Sequence, residues 1–288
     1  MLEIKTWRDP YDAGFSPTIP TSVRFDEGLT VVIGCNGSGK TTLLKNIEDE
    51  CNKNHIPVYR YDNLYKGGTH ALSSAFAIGN YSLIGGLMSA SEGEMNAINF
   101  NNVMSKIDHF LKEGYMKEEK YLHQQSVDDQ DISNKRCILF DAIDSGLSLD
   151  FDYDLKHALQ KFIEGTKNLP IELYVIITTN SYELARHEKC FDVNRGKYVK
   201  IDNYEDYREC IIRSRNHKEQ RIIHQKEWFA KKREREIADA KKSIESYQKK
   251  IQSIKDNAEK RNMSISIFDQ NKIYDYEREI SKLQDKIE

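Results

Sequence analysis

Apolar and polar positions alternate at the very start of the chain, in Leu2-Glu3-Ile4-Lys5-Thr6-Trp7, as they do along a half-buried strand. A Pro/Gly-rich loop from Pro10 to Pro20 separates this run from Ser22-Val23-Arg24-Phe25 and from Leu29 to Ile33, two further strand segments. Pro57 to Tyr61 predicts another strand, running into Asp62-Asn63 and a turn at Gly67-Gly68. Cys137-Ile138-Leu139-Phe140-Asp141 and Ile171 to Thr178 are nearly continuous apolar runs, the pattern of strands covered on both faces. Phe191-Asp192-Val193 and Lys197 to Ile201, joined across Asn194-Arg195-Gly196, predict a hairpin. Helical stretches fall between these runs. They are Thr42 to Asn52, a segment whose period of about 3.6 residues passes through Ile98, Val103, Ile107 and Phe110, and Leu155 to Thr166. Leu72 to Met88 is rich in small and apolar residues and fits helix or loop near the core, whereas Gly114 to Arg136 is polar and reads as a surface insertion.

From about Tyr204 the rhythm changes and stays helical. Ile223, Ala230, Ile237, Ile244, Ile251 and Ala258 recur every seventh position, and Ala240, Tyr247 and Ile254 fill the matching place three residues on. A second seam, Ile273, Tyr276, Ile280, Leu283 and Ile287, follows a break around Asn262 to Asn271. The two seams predict an antiparallel helical hairpin, with one amphipathic helix lying on the head as the alternative. The chain thus divides into an α/β head over 1–205 and a helical hairpin or coiled coil over 206–288.

The stretch Val31-Val32-Ile33-Gly34-Cys35-Asn36-Gly37-Ser38-Gly39-Lys40-Thr41-Thr42 carries the most specific chemistry in the chain. Its apolar strand breaks into glycines and ends in Lys-Thr at the spacing G-x-x-x-x-G-K-[ST], that of a phosphate-binding loop. Glycines let the backbone curl so that the amides of Gly34, Asn36, Gly37, Ser38 and Gly39 face an anion, with Thr42 in the helix whose positive end points the same way. Lys40 is placed to reach the outer phosphates and the Thr41 hydroxyl to ligate Mg2+. A plain glycine turn between strand and helix would not need the Lys-Thr ending.

Charge and cysteines narrow the classes. Of 288 residues, 31% are charged and 39% apolar, and the mean hydropathy of −0.70 points to much exposed helical surface. No apolar run long enough to span a membrane and no leader-like segment is visible, and the five scattered cysteines lack metal-site spacing. A cytoplasmic protein with reduced thiols is expected. Residues 1–216 carry 25 Lys and Arg against 32 Asp and Glu, whereas 217–261 carry 14 against 8, so an acidic head precedes a basic helix.

Taken in order, four short motifs resemble those of an ABC-type ATPase of the soluble RecF/SMC/OLD kind, over roughly residues 1–205. Gly34 to Thr41 is similar to the Walker A loop. Ser91-Glu92-Gly93-Glu94, opening a helix over about 89–113, resembles the S-x-G-E signature, although alone it reads as a capping box. Ile138 to Asp141 resembles Walker B, with Ser145-Gly146-Leu147-Ser148 at the D-loop. Thr179-Asn180-Ser181-Tyr182-Glu183-Leu184 resembles the switch segment. The resemblance implies an ABC-type P-loop head, a mixed sheet flanked by helices, in which two copies sandwich two ATP molecules. Thr41 and Asp141 would hold Mg2+, and Ser91, Gly93 and Glu94 would complete the site across a homodimer or higher oligomer.

The departures from that pattern matter as much. The glutamate that orients the attacking water should follow Asp141, where this chain has Ala142, and Asn180 stands where the family keeps histidine. Alanine cannot accept a proton, so hydrolysis is slow, or another acid such as Asp144 serves, or Ala142 is an introduced substitution. Asp62 or Asn63 is a candidate stand-in for the glutamine-loop residue, and Tyr11 or Phe15 for the adenine-stacking aromatic. The resemblance implies a nucleotide-gated dimerising switch that acts on a separate effector protein, in the manner of DNA-repair and antiphage components. The alternative is nucleic-acid binding through the basic helix 217–261, with its Lys231-Lys232-Arg233, Lys241-Lys242 and Lys249-Lys250. A transporter subunit and a P-loop kinase fit the motifs less well, and no membrane partner is expected.

Overall fold

The computed structural model describes residues 1–6, 22–63, 73, 77, 84, 88, 90–114, 133–261 and 263–287. The expected loop at 10–20 with Tyr11 and Phe15, the Gly67-Gly68 turn, nearly all of 72–88 and most of the polar insertion lie outside these residues. The chain divides into two compact units, Met1–Gln220 and Arg221–Glu288.

In the first unit, β1 (Leu2–Lys5) and β2 (Ser22–Phe25) pair antiparallel as a small sheet of their own. The main sheet has six strands: β3 (Gly28–Ile33), β4 (Val58–Asp62), β5 (Lys135–Asp141), β6 (Glu172–Thr178), β7 (Cys190–Asp192) and β8 (Lys197–Val199). Their order is β4-β5-β6-β3-β7-β8, parallel throughout except for the β7–β8 hairpin. Between strands run α1 (Lys40–Lys53), α2 (Glu92–Glu113), α3 (Leu149–Thr166) and the short α4 (Tyr182–Ala185).

The pleat sends alternate residues to opposite faces, so each apolar strand fills two cores. Val32, Leu139, Tyr174 and Ile176 pack with Leu44 and Ile47 of α1 and with Ile4 and Phe25 of the small sheet. Val31, Ile33, Ile138, Phe140, Val175 and Ile177 pack on the other face with Ile107 and Phe110 of α2 and Leu155 and Leu159 of α3. The α/β class expected from the apolar runs is therefore realised as a mostly parallel sheet covered on both faces.

α3 begins at Leu149, six residues before the expected Leu155, and the start of β5 also needs correction. Arg136, expected in the polar insertion, lies in β5 and is only 5% exposed. Its guanidinium donates to the Leu111, Ser133 and Lys135 carbonyls, so a buried cation is satisfied by backbone in place of a carboxylate.

A helix α5 (Tyr204–Lys260) begins in the first unit and continues through the second. Asn203 caps it, its side-chain oxygen accepting the Asp206 N–H at 3.0 Å while Asp206 accepts the Asn203 N–H at 3.3 Å. In the second unit α5 is followed by α6 (Ile267–Ile287). That helix starts earlier than the apolar seam suggests, because Ser266 and Asp269 form their own cap: Ser266 accepts the Asp269 N–H at 3.1 Å and donates to its carboxylate at 2.8 Å. Tyr247 stacks on Tyr276 with centroids 5.4 Å apart, and Ala240 and Ile251 are buried, whereas Ile223 is 53% exposed.

Candidate functional site

The carboxyl ends of parallel strands gather the chemistry of the first unit at one edge of the sheet. β3 runs out at Ile33 into the glycine loop, and β6, its neighbour, runs out at Thr178, paired with Val32. β5 lies beyond β6 and ends at Asp141, opposite Asp62 of β4. Ligands of open α/β sheets bind at this edge, where loops from several strands converge.

The glycine loop has the tight form its composition predicts. Gly34 has φ +154°, and a Cβ there would stand 2.6 Å from Ser38 Oγ and 2.7 Å from Val193 Cγ1. Gly39, the residue before α1, is left-handed at φ +105°. Ser38 donates its backbone N–H to the Cys35 carbonyl at 3.1 Å, while its hydroxyl is buried with no hydrogen-bond partner. An orphaned hydroxyl in a glycine-rich turn suits a phosphate group at the amino end of α1. Lys40 donates to the Gly34 carbonyl at 2.7 Å and to Asn180 Oδ1 at 2.8 Å. Burial lowers the Lys40 pKa, opposed by Asp144, Cys35 and Asp141. Asn36 and Thr42 are exposed at the rim of the loop and in the first turn of α1.

Asp141 is 3% exposed and saturated with donors. Thr41 donates to its Oδ1 at 3.2 Å, Thr178 to the same oxygen at 2.7 Å, and Arg60 of β4 to Oδ2 at 3.0 Å. Arg60 also reaches Glu48 at 3.2 Å and Asp62 at 3.6 Å. Burial opposes the Arg60 charge, and its hydrogen bonds to the Asp141 and Glu48 carboxylates more than offset it, so its pKa is raised. A hydroxyl and a carboxylate side by side form the hard oxygen pair that Mg2+ takes beside a phosphate.

Ala142 follows with a left-handed φ of +51°. Its N–H goes to Thr178 Oγ1 at 2.7 Å, and its carbonyl accepts Asn63 Nδ2 at 3.2 Å, which fixes the turn from both sides. Asn63 and Asn96 both donate to the Ser145 carbonyl, at 2.9 and 2.8 Å, and so hold the segment after β5 against β4 and α2. Asp144 Oδ2 accepts the Asn180 N–H at 2.8 Å, which brings Asp144, Asn180 and Lys40 into one linked group. Behind it lies Asp152 of α3, 7% exposed, with a carboxylate oxygen that has no hydrogen-bond partner. Burial raises its pKa to about 6; the Ser181 hydrogen bond lowers it, and Asp144 and Glu183 add to the rise.

Ser91 and Glu94 sit apart from this network. Ser91 is the N-cap of α2, and its hydroxyl accepts the Glu94 N–H at 3.4 Å. The Glu94 carboxylate in return accepts the Ser91 N–H and hydroxyl at 2.7 and 2.8 Å. Those bonds lower the Glu94 pKa. Gly93 falls in the first turn of the same helix. The structure therefore brings Lys40, Thr41, Asp141, Asp144 and Asn180 together, and among the described residues no hydrogen bond or ion pair joins Ser91 or Glu94 to them.

Sequence reading missed Arg60, Asn96, Asp152 and Thr178. Their roles depend on strand register and helix packing. For Arg60 alone a signal existed, a cation in a strand whose neighbour ends in an acid.

Among the described residues no group of three or more His, Cys, Asp or Glu side chains is arranged to hold a metal ion, and no helix is long and apolar enough to cross a membrane. The described cysteines are free. The sequence profile of the ATPase family associated with various cellular activities (AAA) matches residues 30–192, from β3 through β7. A search of curated proteins found no match.

Proposed function

The chain belongs to the ATPase family associated with various cellular activities, and from the order of its four short motifs we propose that it binds ATP with Mg2+ through an ABC-type head over 1–205 and works as a nucleotide-gated dimerising switch. Lys40 and the amides of Gly34, Asn36, Gly37, Ser38 and Gly39 hold the phosphates, with Thr42 at the rim. Thr41 and Asp141 hold Mg2+, which when bound neutralises charge on the phosphate oxygens. Asn180 contacts the outermost phosphate as a hydrogen-bond donor. Ser91, Gly93 and Glu94, at the head of α2, serve the nucleotide of a second copy, and a helical hairpin over 206–288 passes closure to a separate effector protein.

One observation carries this reading: the Thr41 hydroxyl meets the Asp141 carboxylate beside the glycine loop, and Ala142 follows in a fixed turn. The two residues that would hold the metal stand together, while the position that would orient water carries a methyl group. Asp144, linked through Asn180 to Lys40, is the carboxylate that would accept the water's proton, and turnover through it is slow. Binding energy, not hydrolysis, then drives the switch.

Light-scattering mass of the full chain in Mg2+, with and without ATP, alongside phosphate release, tests it. An ATP-dependent dimer with little release, and faster release in Ala142→Glu, is expected. A monomer that hydrolyses ATP readily would sink it.

A second reading rests on the second unit, where Lys242, Lys249 and Lys250 line a shallow groove with Glu245, Ser246 and Ser253, and Lys250 lies over Tyr247 at 5.2 Å. Cations interleaved with a stacked aromatic pair suit a nucleic-acid backbone. Binding of single-stranded DNA that falls steeply with added salt would support it, and salt-insensitive or absent binding would remove it.

A further inference from the structure

The family match ends at Asp192, and the first turns of α5 lie beyond it. Three side chains there reach back to the loop and switch segments. Tyr207 donates its phenol to the Asn180 carbonyl at 2.5 Å, Ser214 accepts the Cys35 N–H at 3.0 Å, and Lys218 donates to the Asn36 carbonyl at 2.8 Å. Helical spacing places all three on one face. Ser214 is 2% exposed and bonds Asn194 Oδ1; Asn194 in turn donates its N–H to Asp192 Oδ1 at 2.9 Å. A buried polar chain from Asp192 through Asn194 and Ser214 to Cys35 thus stands directly behind the glycine loop. Buried polar groups of this kind are costly unless satisfied and are rigid when they are.

The peptide plane turns these contacts into control of the loop. A trans peptide points its C=O and N–H in opposite directions. With the Cys35 N–H held by Ser214, the Gly34 carbonyl of the same peptide is directed the other way, and it is there that Lys40 donates at 2.7 Å. With the Asn36 carbonyl held by Lys218, the Gly37 N–H is likewise turned away from α5. Space agrees: a Cβ on Gly37 would stand 3.0 Å from Lys218 Nζ, and one on Gly34 would stand 3.3 Å from Ser214 Oγ.

We infer that Ser214 and Lys218 are positioning residues for nucleotide phosphate, which set from outside the loop the direction of the Gly34–Cys35 and Asn36–Gly37 peptides. The inference rests on the nucleotide-binding reading of that loop. α5 is consequently part of the phosphate site as well as the start of the helical tail.

Titration of the full chain with a fluorescent ATP analogue in Mg2+, paired with thermal melting of each variant, tests it. Ser214→Ala and Lys218→Met should each weaken binding about fivefold to tenfold, the share of one hydrogen bond, while Ser214→Thr and Lys218→Arg retain most of it. In a Lys40→Met background Ser214→Ala should add little, because both act on one peptide. Lys218 is only half-buried, so Lys218→Met keeps the test open should Ser214→Ala fail to fold. Folded Ser214→Ala and Lys218→Met proteins with wild-type affinity would overturn the inference and leave the nucleotide reading standing. Wild-type protein that binds no ATP would overturn both.

Discussion

The glycine-loop region and the amino end of α2 are built on opposite plans. Around the loop, Thr41, Arg60, Asp141 and Thr178 come from four different elements, and their polar groups satisfy one another across the sheet. At α2, Ser91 and Glu94 are exposed, and among the described residues their side chains bond each other. One region is organised by the whole fold; the other is closed on itself by two residues three apart. A phosphate seeking the Ser91 hydroxyl must therefore first displace the Glu94 carboxylate, and a group on a second copy would have to make good that loss.

Lys40→Met has the largest expected effect, about 100-fold weaker ATP binding by isothermal titration, for the loss of charge-assisted bonds to phosphate. Undiminished binding would mean that the loop does not work as a phosphate site. Asp141→Ala should abolish the Mg2+ dependence of binding and lower stability by about 1–3 kcal/mol in denaturant melts, since Thr41 and Thr178 lose an acceptor and Arg60 keeps Glu48 and Asp62. Ser91→Ala sharpens the contrast, because it should leave ATP affinity at low protein concentration unchanged while weakening ATP-dependent dimerisation about threefold to tenfold. Equal weakening of both would place Ser91 in its own head's site.

The smallest effect concerns Asp152, whose pKa rises from 3.8 to about 6 on folding. The folded chain then binds this proton more tightly than the unfolded one, so the stabilisation is complete below about pH 4 and is lost as pH rises through about 6. Asp152→Asn should accordingly raise the melting temperature by a few degrees at pH 8 and by less and less towards pH 4. A gain independent of pH would show that packing, not charge, sets the change.

Legibility followed the range of the interactions. β5 and β6 were readable because a strand covered on both faces must be apolar at nearly every position, and Ile138 to Phe140 and Val175 to Ile177 are fully buried. The glycine loop and the Ser91 cap were readable because their geometry is fixed within a few neighbouring residues. Arg136 misled because burial of a guanidinium on backbone carbonyls leaves no mark in composition. The link from Ser214 to Cys35 spans 179 positions, and nothing near either residue announces it. The seam through Ile223 was legible as a repeat, yet that residue is exposed, whereas Ala240 and Ile251 further along it are buried. Periodicity names the face a helix can bury, not how much of it is covered.

Ala142 has a consequence on another timescale. Thr178 and Asn63 hold its backbone through main-chain atoms that any residue carries, while its left-handed φ of +51° favours glycine, asparagine and aspartate over bulky or β-branched residues. A single transversion in any alanine codon yields an acidic residue. The chain therefore stands one base change from placing a carboxylate directly after Asp141.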